Sequence, residues 1–411
     1  MRQHSSTQAE LPRVAPEEGF SGGRDAETIL LSESVVVRRS QPLHFSIQPG
    51  VADPEGERRR RFERGAEYLA GPLFVSRLPG ALVDTSRFII CPSEDRYLLD
   101  SFRHPRGLAR WGYSHVEGEV WERADERIAE RPERVVVLGA QANRIYSHWL
   151  LESVLRALLL APFDDGRVVY LTPPLEPWQQ QALALAGVPP ERTLTLPRRQ
   201  LVRFAEVFAV SRGFAQIPAL IPDAVQTLRG LLRATVASAN RREPADPAEP
   251  AGSATTGRRL WVSRRHMERR HISNESQLVE VLAGHGFEVV YPERLGLAEQ
   301  MAMFARAEAV AGPFGSGLTN LIFSPRGTLV LELQPEDLDF GGNTFLWNLA
   351  SIREQPFAQV VCPVSEGMRD LPLGERDMTV DVRAINELLG RLLHATQRAT
   401  APSTPPQRAW P

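Results

Sequence analysis

The chain has 411 residues, 48 of them basic and 50 acidic, and it contains no lysine, so every basic side chain other than histidine is arginine. This excludes chemistries that need a lysine amine, namely the Walker-type P-loop, the usual protein kinase, and Schiff-base or pyridoxal enzymes. The formal net charge of -2 and the 42% hydrophobic content are ordinary for a globular chain and predict no general affinity for nucleic acid or anionic membranes.

The chain ends and one internal stretch are polar and poor in large apolar residues. We expect disorder in residues 1–26 and 397–411, because such segments bury too little apolar surface to order themselves. A similar stretch at 241–257 reads as an exposed loop or linker. The predicted domains are therefore an N-terminal one at 27–218 and a C-terminal one at 219–396.

No segment has the features of a secretory signal or a membrane span. The N-terminal region lacks an apolar core, and no run approaches the ~18 apolar residues that a span needs. Cys91 and Cys362 show no disulfide pattern, which suits a reducing compartment. We expect a cytoplasmic protein, with a peripheral position at the inner face of a membrane as a further option.

In the first half, residues 134–139 and 167–171 are short runs rich in valine, typical of buried parallel strands, and residues 148–160 between them have helical periodicity. This predicts one β-α-β unit. The elements before about residue 130 cannot be ordered from the sequence.

The second half alternates more regularly. It predicts strands at 260–263, 288–291, 309–311 and 329–333, and helices at 275–283, at 297–307 and after Gly317. Asn274 and Gln277 have the spacing of a capping box at the start of the first helix. Strand-helix alternation of this kind predicts an α/β domain with a parallel sheet covered on both faces, hence a Rossmann-like domain.

Three features follow the predicted strands of this domain, where ligands of open α/β sheets bind. Arg264 and Arg265 follow the first strand, the glycine-rich turn 312–320 follows the third, and Glu332 closes the fourth. Guanidinium groups and backbone amides donate hydrogen bonds to phosphate, and a carboxylate accepts hydrogen bonds from ribose hydroxyls. The alternatives are a solvated arginine cluster, which includes Arg269 and Arg270, and a turn whose glycines serve only packing. The glycine spacing differs from the dinucleotide fingerprint, so an NAD or FAD site is disfavoured.

In the first half, His148, Glu152 and Arg156 are spaced i, i+4 and i+8 and form one polar stripe on the predicted helix. The stripe could hold a general base: either Glu152 accepts a proton from a hydroxyl, or His148 does so while Glu152 fixes its tautomer. The alternative is an exposed helix face with ordinary charge pairs.

The residues predict no metal site, since the sequence has neither a cysteine pair nor a His-Glu-x-x-His motif. The acidic run Glu336, Asp337 and Asp339 could recruit a divalent ion, and an exposed loop is the simpler interpretation.

Two segments together resemble glycosyltransferase family 61. The stretch 259–333 contains WVSRR, RRHISNE, GPFGSGLTNLIF and LVLEL, and YSHWLLESVLRALLL is similar to the Tyr-x-His-Trp-Leu-x-Glu segment of that family. The resemblance implies a GT-B fold, in which two Rossmann-like domains with parallel sheets face a cleft. It also implies inverting transfer of a sugar from a nucleotide-sugar donor to a glycan or lipid-linked acceptor. Bacterial members are commonly described as capsular or extracellular polysaccharide biosynthesis proteins, which suggests a link to a membrane assembly complex.

The resemblance further assigns roles to individual residues. It implies that the reaction uses no metal ion or other cofactor and that the protein binds no nucleic acid. The base would be Glu152 or His148, with acceptor-side residues Tyr146, Trp149 and Arg156. The nucleotide-sugar would contact Arg264, Arg265, Arg270, Asn274, Gly312, Phe314, Gly315, Ser316, Gly317, Thr319, Asn320 and Glu332.

The glycine-rich turn departs from the family pattern Gly-Pro-His-Gly-Ala-Gly-Leu-Thr-Asn at two positions. Phe314 stands where the histidine is expected, and Ser316 where alanine is. Phe314 removes a side chain that could touch the donor, and it could instead stack on a base or sugar. It also supports the alternative of a catalytically degenerate, ligand-binding scaffold protein, and a sugar-nucleotide epimerase is a third option.

Overall fold

The computed structural model describes two compact units. The described residues are 2–6, 13–14, 25–51, 56, 60, 66–93, 96–98, 121–122, 128–140, 142–198, 200–216, 219–240, 257–338, 344–372 and 374–400. Unit 1 comprises 1–38, 67–249 and 296–298, and unit 2 comprises 39–66, 250–295 and 299–411.

The strands are, in chain order, β1 (Arg2–Ser6), β2 (Arg13–Val14), β3 (Glu27–Ser32), β4 (Val35–Arg38), β5 (His44–Ile47), β6 (Glu67–Ala70), β7 (Leu73–Pro79), β8 (Leu82–Asp84), β9 (Ile89–Cys91), β10 (Arg96–Leu98), β11 (Trp121–Glu122), β12 (Ile128–Val137), β13 (Val169–Leu171), β14 (Thr193–Leu194), β15 (Leu201–Val210), β16 (Phe214–Gln216), β17 (Ala219–Leu220), β18 (Arg258–Val262), β19 (Phe287–Val290), β20 (Ala307–Pro313), β21 (Leu329–Pro335) and β22 (Phe357–Cys362).

The first helix, α1, is continuous but changes type along its length: α over Tyr146–His148, π over Trp149–Val154 and α over Leu155–Leu160. The other α-helices are α2 (Pro177–Leu185), α3 (Pro222–Asn240), α4 (Glu275–Gly284), α5 (Leu297–Phe304), α6 (Phe345–Ile352) and α7 (Val382–Thr400). Short 3-10 helices cover Ala161–Phe163, Pro190–Arg192, Pro292–Arg294 and Ser316–Ile322.

Unit 1 is built on a mixed sheet in the order β14-β13-β12-β15-β7-β3-β2, with β8 and β9 paired beside β15. The strands β14, β13, β12 and β15 are mutually parallel, whereas β7 is antiparallel to both β15 and β3. In the parallel part the chain moves from β12 outward to β14 and then returns to the other side of β12. The switch point, where ligands of such sheets bind, is therefore between β12 and β15.

Unit 2 is built on six parallel strands in the order β19-β18-β20-β21-β22-β5. One face of this sheet forms a core with α4 and α7, whose buried side chains include Leu278, Leu282, Leu389 and Leu392. The chain passes from β18 to β19 in one direction and then to β20, β21 and β22 in the other. The switch point of this sheet is therefore between β18 and β20.

The predicted α/β class with parallel sheets is confirmed, and so are the strand-helix alternation of the second half and the β-α-β unit of the first. The sheet of unit 1 is nevertheless mixed, because antiparallel strands from the first hundred residues extend it. The predicted helix after Gly317 is a 3-10 helix. The capping box at Asn274 is wrong, because that side chain makes no cap hydrogen bond.

The units differ from the predicted domain limits in two places. Strand β5, far upstream of the predicted boundary, supplies an edge of the unit 2 sheet, and α3, downstream of it, belongs to unit 1. Helix α7 continues to Thr400, and β1 and β2 lie within the first 26 residues, whereas the sequence predicts disorder in these parts. Residues 241–256 and 401–411 lie outside the described residues.

Candidate functional site

Helix α1 starts from the switch point of unit 1 and is fixed there by polar contacts. The Ser153 hydroxyl donates a 2.7 Å hydrogen bond to the carbonyl of Leu138, just after β12. A π segment widens the helix at Trp149–Val154, and such segments occur frequently at functional sites. The three predicted stripe residues are all buried, so the interpretation as an exposed helix face is wrong.

His148 and Glu152 form a buried hydrogen-bonded pair in α1. The His148 Nδ1 atom is 2.8 Å from Glu152 Oε1, and the two residues are 8% and 1% exposed. Burial opposes ionisation of Glu152, but the hydrogen bond from His148 and the charges of His148, Arg212 and Arg156 outweigh it and hold the pKa of that carboxyl below its ordinary value. An ionised carboxylate can only accept hydrogen bonds. A tautomer that carries its proton on Nδ1 satisfies this contact, and Nε2 is then the nitrogen that can accept a proton.

Arg156 spans the ends of the two strands that flank the switch point. Its guanidinium donates to the carbonyls of Val137 and Gly139, which close β12, and of Val210, which ends β15, at 3.1 to 3.3 Å. Burial lowers the pKa of Arg156 to about 10, and the charge of Glu152 opposes that shift. Arg156 thus acts as a fixed positive charge behind Glu152 and not as a surface contact for an acceptor.

The two aromatic residues predicted for the acceptor side differ in exposure. Trp149 is fully buried and packs edge-on against Trp178, with ring centroids 6.2 Å apart, so it belongs to the core. Tyr146 is half-buried, with its ring 5.9 Å from that of Trp178. The centre of the Phe214 ring lies 5.3 Å from that of the His148 ring.

Arg264 lies at the switch point of unit 2, directly after β18. The residue is 7% exposed, and within the described part of the chain its Nε and Nη2 atoms donate to the carbonyl of Arg269, at 3.3 and 3.1 Å. Burial and the charges of Arg270 and Arg269 lower its pKa to about 9, against the opposing charge of Glu293. A buried cation surrounded by other cations is costly, and an anionic ligand would relieve that cost.

Two of the neighbouring polar residues have partners within the protein. Arg265 lies 3.5 Å from a carboxylate oxygen of Glu275 and also contacts the Ser276 hydroxyl. The Asn274 amide both donates to and accepts from the backbone of Val380, at 2.7 and 3.0 Å. These contacts hold α4 and the loop before it in place, whereas the hydrogen bonds of Arg264 to other described residues go to the backbone.

The glycine-rich turn packs tightly against the switch point. A Cβ on residue 312 would lie 2.9 Å from the Val262 carbonyl oxygen, and one on residue 315 would collide with Nη1 of Arg264. Gly317 packs on the Val262 side chain in the same way. The turn continues through Ser316 into the 3-10 helix.

Two further residues of the turn, Thr319 and Asn320, are buried. Thr319 is fully buried, and Asn320 is tied to Gln300 by a 2.7 Å hydrogen bond. At residues 312, 315 and 317, by contrast, glycine is required because neighbouring atoms approach too closely for a Cβ.

Glu332 lies inside the sheet and not at a strand end. It is 1% exposed, its Oε2 accepts a 2.7 Å hydrogen bond from Gln359, and its Oε1 has no partner among the described residues. Burial raises the pKa of Glu332 to about 8, although the Gln359 hydrogen bond acts in the opposite direction. The predicted ribose carboxylate is thus a protonated acid at neutral pH, enclosed by the sheet.

Phe314 contacts Arg270 in this structure. The Arg270 Cζ atom lies 5.5 Å from the centre of the Phe314 ring, within the range of a cation–π contact. Asp337, which follows β21, is the acidic charge that acts on Arg270. Its side chain is 6% exposed, so the expectation of an exposed acidic loop is wrong at this position.

The sequence did not identify Arg212 or Asp337 as members of these sites. Arg212 follows β15, and its position at the end of a strand beside the switch point would have indicated it had that strand been recognised. Across the described ranges no three His, Cys, Asp or Glu side chains are arranged to hold a metal ion. Over the same ranges no helix is both long and apolar enough to cross a bilayer.

Unit 1 carries a buried acid–base pair and unit 2 carries an anion-attracting arginine, each at a switch point of an α/β sheet. A buried acid–base pair and a buried arginine at such positions are side chains that an α/β transferase can use. The family model described as Glycosyltransferase 61 matches residues 146–331, a range that begins at Tyr146 and includes Arg264 and the glycine-rich turn. This match covers somewhat less than half of the chain and confirms the resemblance to glycosyltransferase family 61 seen in the sequence, and no curated protein matches the chain.

Proposed function

We propose that the protein is an inverting glycosyltransferase that moves a sugar from a nucleotide-sugar donor to a hydroxyl acceptor, a glycan or a lipid-linked sugar. The observation that carries this proposal is the buried His148–Glu152 hydrogen bond, because an inverting transfer needs one positioned base. In this proposal the fold is of the GT-B type, with the donor on unit 2 and the acceptor on unit 1.

His148 is the proposed base, and Glu152 orients it. Nε2 of the neutral ring accepts the proton of the acceptor hydroxyl while that oxygen bonds to the anomeric carbon of the donor. The bond from the anomeric carbon to the nucleoside diphosphate breaks on the opposite face, which inverts the centre. The ionised Glu152, held by its hydrogen bond and by Arg156, stabilises the imidazolium that forms.

Arg264 is the proposed partner of the departing diphosphate. Its burial and its lack of a carboxylate hydrogen-bond partner within the described chain favour an anionic ligand, and a guanidinium remains charged while it binds. Because arginines can neutralise the leaving group in this scheme, we propose a reaction that needs no metal ion or other cofactor.

We further propose a cytoplasmic enzyme of capsular or extracellular polysaccharide biosynthesis, positioned at the inner face of the membrane near an assembly complex. The match to the family model supports a sugar donor and acceptor. The location and pathway are inferences from the resemblance.

The test separates sugar transfer from binding of the nucleoside diphosphate. Glu152→Gln and His148→Ala should abolish sugar transfer while nucleoside-diphosphate affinity stays within about twofold of the wild type. Arg264→Ala should weaken that affinity roughly tenfold or more, as expected for the loss of a charged hydrogen-bonding group. Transfer is measured by product mass and binding by calorimetry.

Two surface variants serve as controls. His285→Ala removes a half-buried histidine bonded to Asn386, and Arg326→Ala removes an exposed arginine paired with Glu354. Both should transfer sugar at the wild-type rate. Full transfer by the His148 and Glu152 variants would refute the catalytic assignment, and wild-type protein that binds nucleotide without any transfer would favour a scaffold role.

A further inference from the structure

Arg270 has an unusual backbone and an unusual environment. Its φ angle is +61°, in the left-handed region that favours glycine. A non-glycine residue there is strained and persists only where the surrounding structure holds it, and such residues cluster at functional sites. Arg270 also immediately follows Arg269, whose carbonyl accepts both hydrogen bonds from Arg264.

The Arg270 guanidinium makes no hydrogen bond to the described part of the chain. Its Nε is buried without a hydrogen-bond partner there, and the guanidinium lies over the Phe314 ring. Burial and the charge of Arg269 lower its pKa, and Asp337 opposes that shift. By contrast, Arg269 reaches the carboxylate of Glu375 at 3.4 Å.

An aromatic ring is a suitable support for a cation that must bind an anion. The ring face attracts the guanidinium but neither neutralises its charge nor occupies its N–H groups. A carboxylate in that place would compete with the ligand, and a protonated histidine would repel the guanidinium. The turn 312–320 brings Phe314 next to Arg270, and the charge of Arg270 acts directly on Arg264.

We propose that Phe314 is a positioning residue whose ring holds the Arg270 guanidinium, so that Arg270 and Arg264 together bind the diphosphate of the donor. This inference rests on the proposed function, because it assigns the diphosphate to unit 2. The residue that departs from the family pattern is then part of the donor site. It acts through Arg270 and does not stack on the base or the sugar.

The experiment measures binding of UDP, GDP, ADP and CDP, with the matching monophosphates, by calorimetry. Phe314→Leu should weaken binding of the preferred diphosphate roughly three- to thirtyfold, the range of a buried cation–π contact. Its affinity for the monophosphate should change less. Phe314→Tyr, which keeps the ring, should bind within about twofold of the wild type.

A second variant distinguishes a binding role from a structural one. Arg270→Gly removes the guanidinium and relieves the positive φ, so it should weaken diphosphate binding while its unfolding midpoint stays at or above that of the wild type. If ring and guanidinium act as one unit, the double variant Phe314→Leu/Arg270→Gly should bind no worse than Arg270→Gly alone. Arg326→Ala is the matched control.

The outcomes also separate this inference from the function on which it depends. If the wild type binds a diphosphate and Phe314→Leu binds it with the same affinity, the positioning role alone is overturned. A lower unfolding midpoint in Arg270→Gly with unchanged affinity would show a structural residue and overturn it as well. If the wild type binds none of the four diphosphates, the donor-site proposal falls together with this inference.

Discussion

Glu332 is a buried acid that the fold keeps protonated. Its pKa is raised by burial from an ordinary value of 4.5 to about 8. Below pH 4.5 both the folded and the unfolded chain carry the proton. Between pH 4.5 and pH 8 the folded chain keeps it and the unfolded chain loses it, so the free energy of unfolding falls as pH rises.

The substitution Glu332→Gln tests this pH dependence of stability, because glutamine mimics the protonated acid at every pH. We expect the variant to gain stability relative to the wild type as pH rises from 5 to 8, by up to about 1.4 kcal/mol per pH unit. Denaturant unfolding at several pH values measures the difference. Glu280→Gln, at an exposed position on α4, should give a difference that does not change with pH. A constant difference for Glu332→Gln would show that this carboxyl ionises normally.

The junction of β20 with the following turn depends on glycine. A Cβ at residue 312 would lie 2.9 Å from the Val262 oxygen and 3.2 Å from its Cβ, both parts of the neighbouring strand β18. Backbone and strand atoms cannot move aside cheaply, so Gly312→Ala should destabilise the protein by roughly 1 to 3 kcal/mol. It should also weaken nucleotide binding, because Arg264 follows that strand.

Gly230→Ala provides the matched control for this prediction. Gly230 lies in α3 with nothing within 4 Å of an added Cβ, so alanine should stabilise the protein by roughly 0.5 to 1 kcal/mol. Thermal unfolding of both variants measures the effects. Equal effects of the two substitutions would show that the β18–β20 contact is not tight.

The elements of unit 2 from β18 to β21 could be predicted because each is a local pattern: an apolar strand, a turn and an amphipathic helix. β5 could not, because its partner β22 is about 300 residues away and nothing in its four residues indicates that pairing. The stripe on α1 could be predicted from its spacing. Its partners could not, because the charge of Arg212 that acts on Glu152 and the Val210 carbonyl that accepts from Arg156 come from a distant segment.

Among the donor-site residues, sequence position identified Arg264 but not the differences between the arginines. Arg265 and Arg269 are ion-paired, and Arg270 lies on a ring. These distinctions depend on Glu275, Phe314 and Glu375, and the last two follow the cluster by many residues. The charge pattern along the chain predicts an anion site, whereas the tertiary contacts decide which cation is available to it.

At the level of the entire chain, the protein has two units with separate sheets and separate cores, and this predicts where a ligand changes local stability. Binding stabilises the segments that it contacts and those that open together with them. We therefore expect a nucleoside diphosphate to slow amide hydrogen exchange most in peptides that cover residues 263–270 and 312–320. Peptides that cover 146–156 and 201–210 should change less, because they belong to unit 1.

Exchange measured by mass spectrometry, with and without the preferred diphosphate, tests this distribution. Arg264→Ala at the same nucleotide concentration should remove most of the protection, while Arg326→Ala should retain it. Protection that is largest on α1 would assign the nucleotide to unit 1, and the division of donor and acceptor between the units would then be reversed. The same map obtained with an acceptor sugar should show its largest effect near His148, because the base must reach the acceptor hydroxyl.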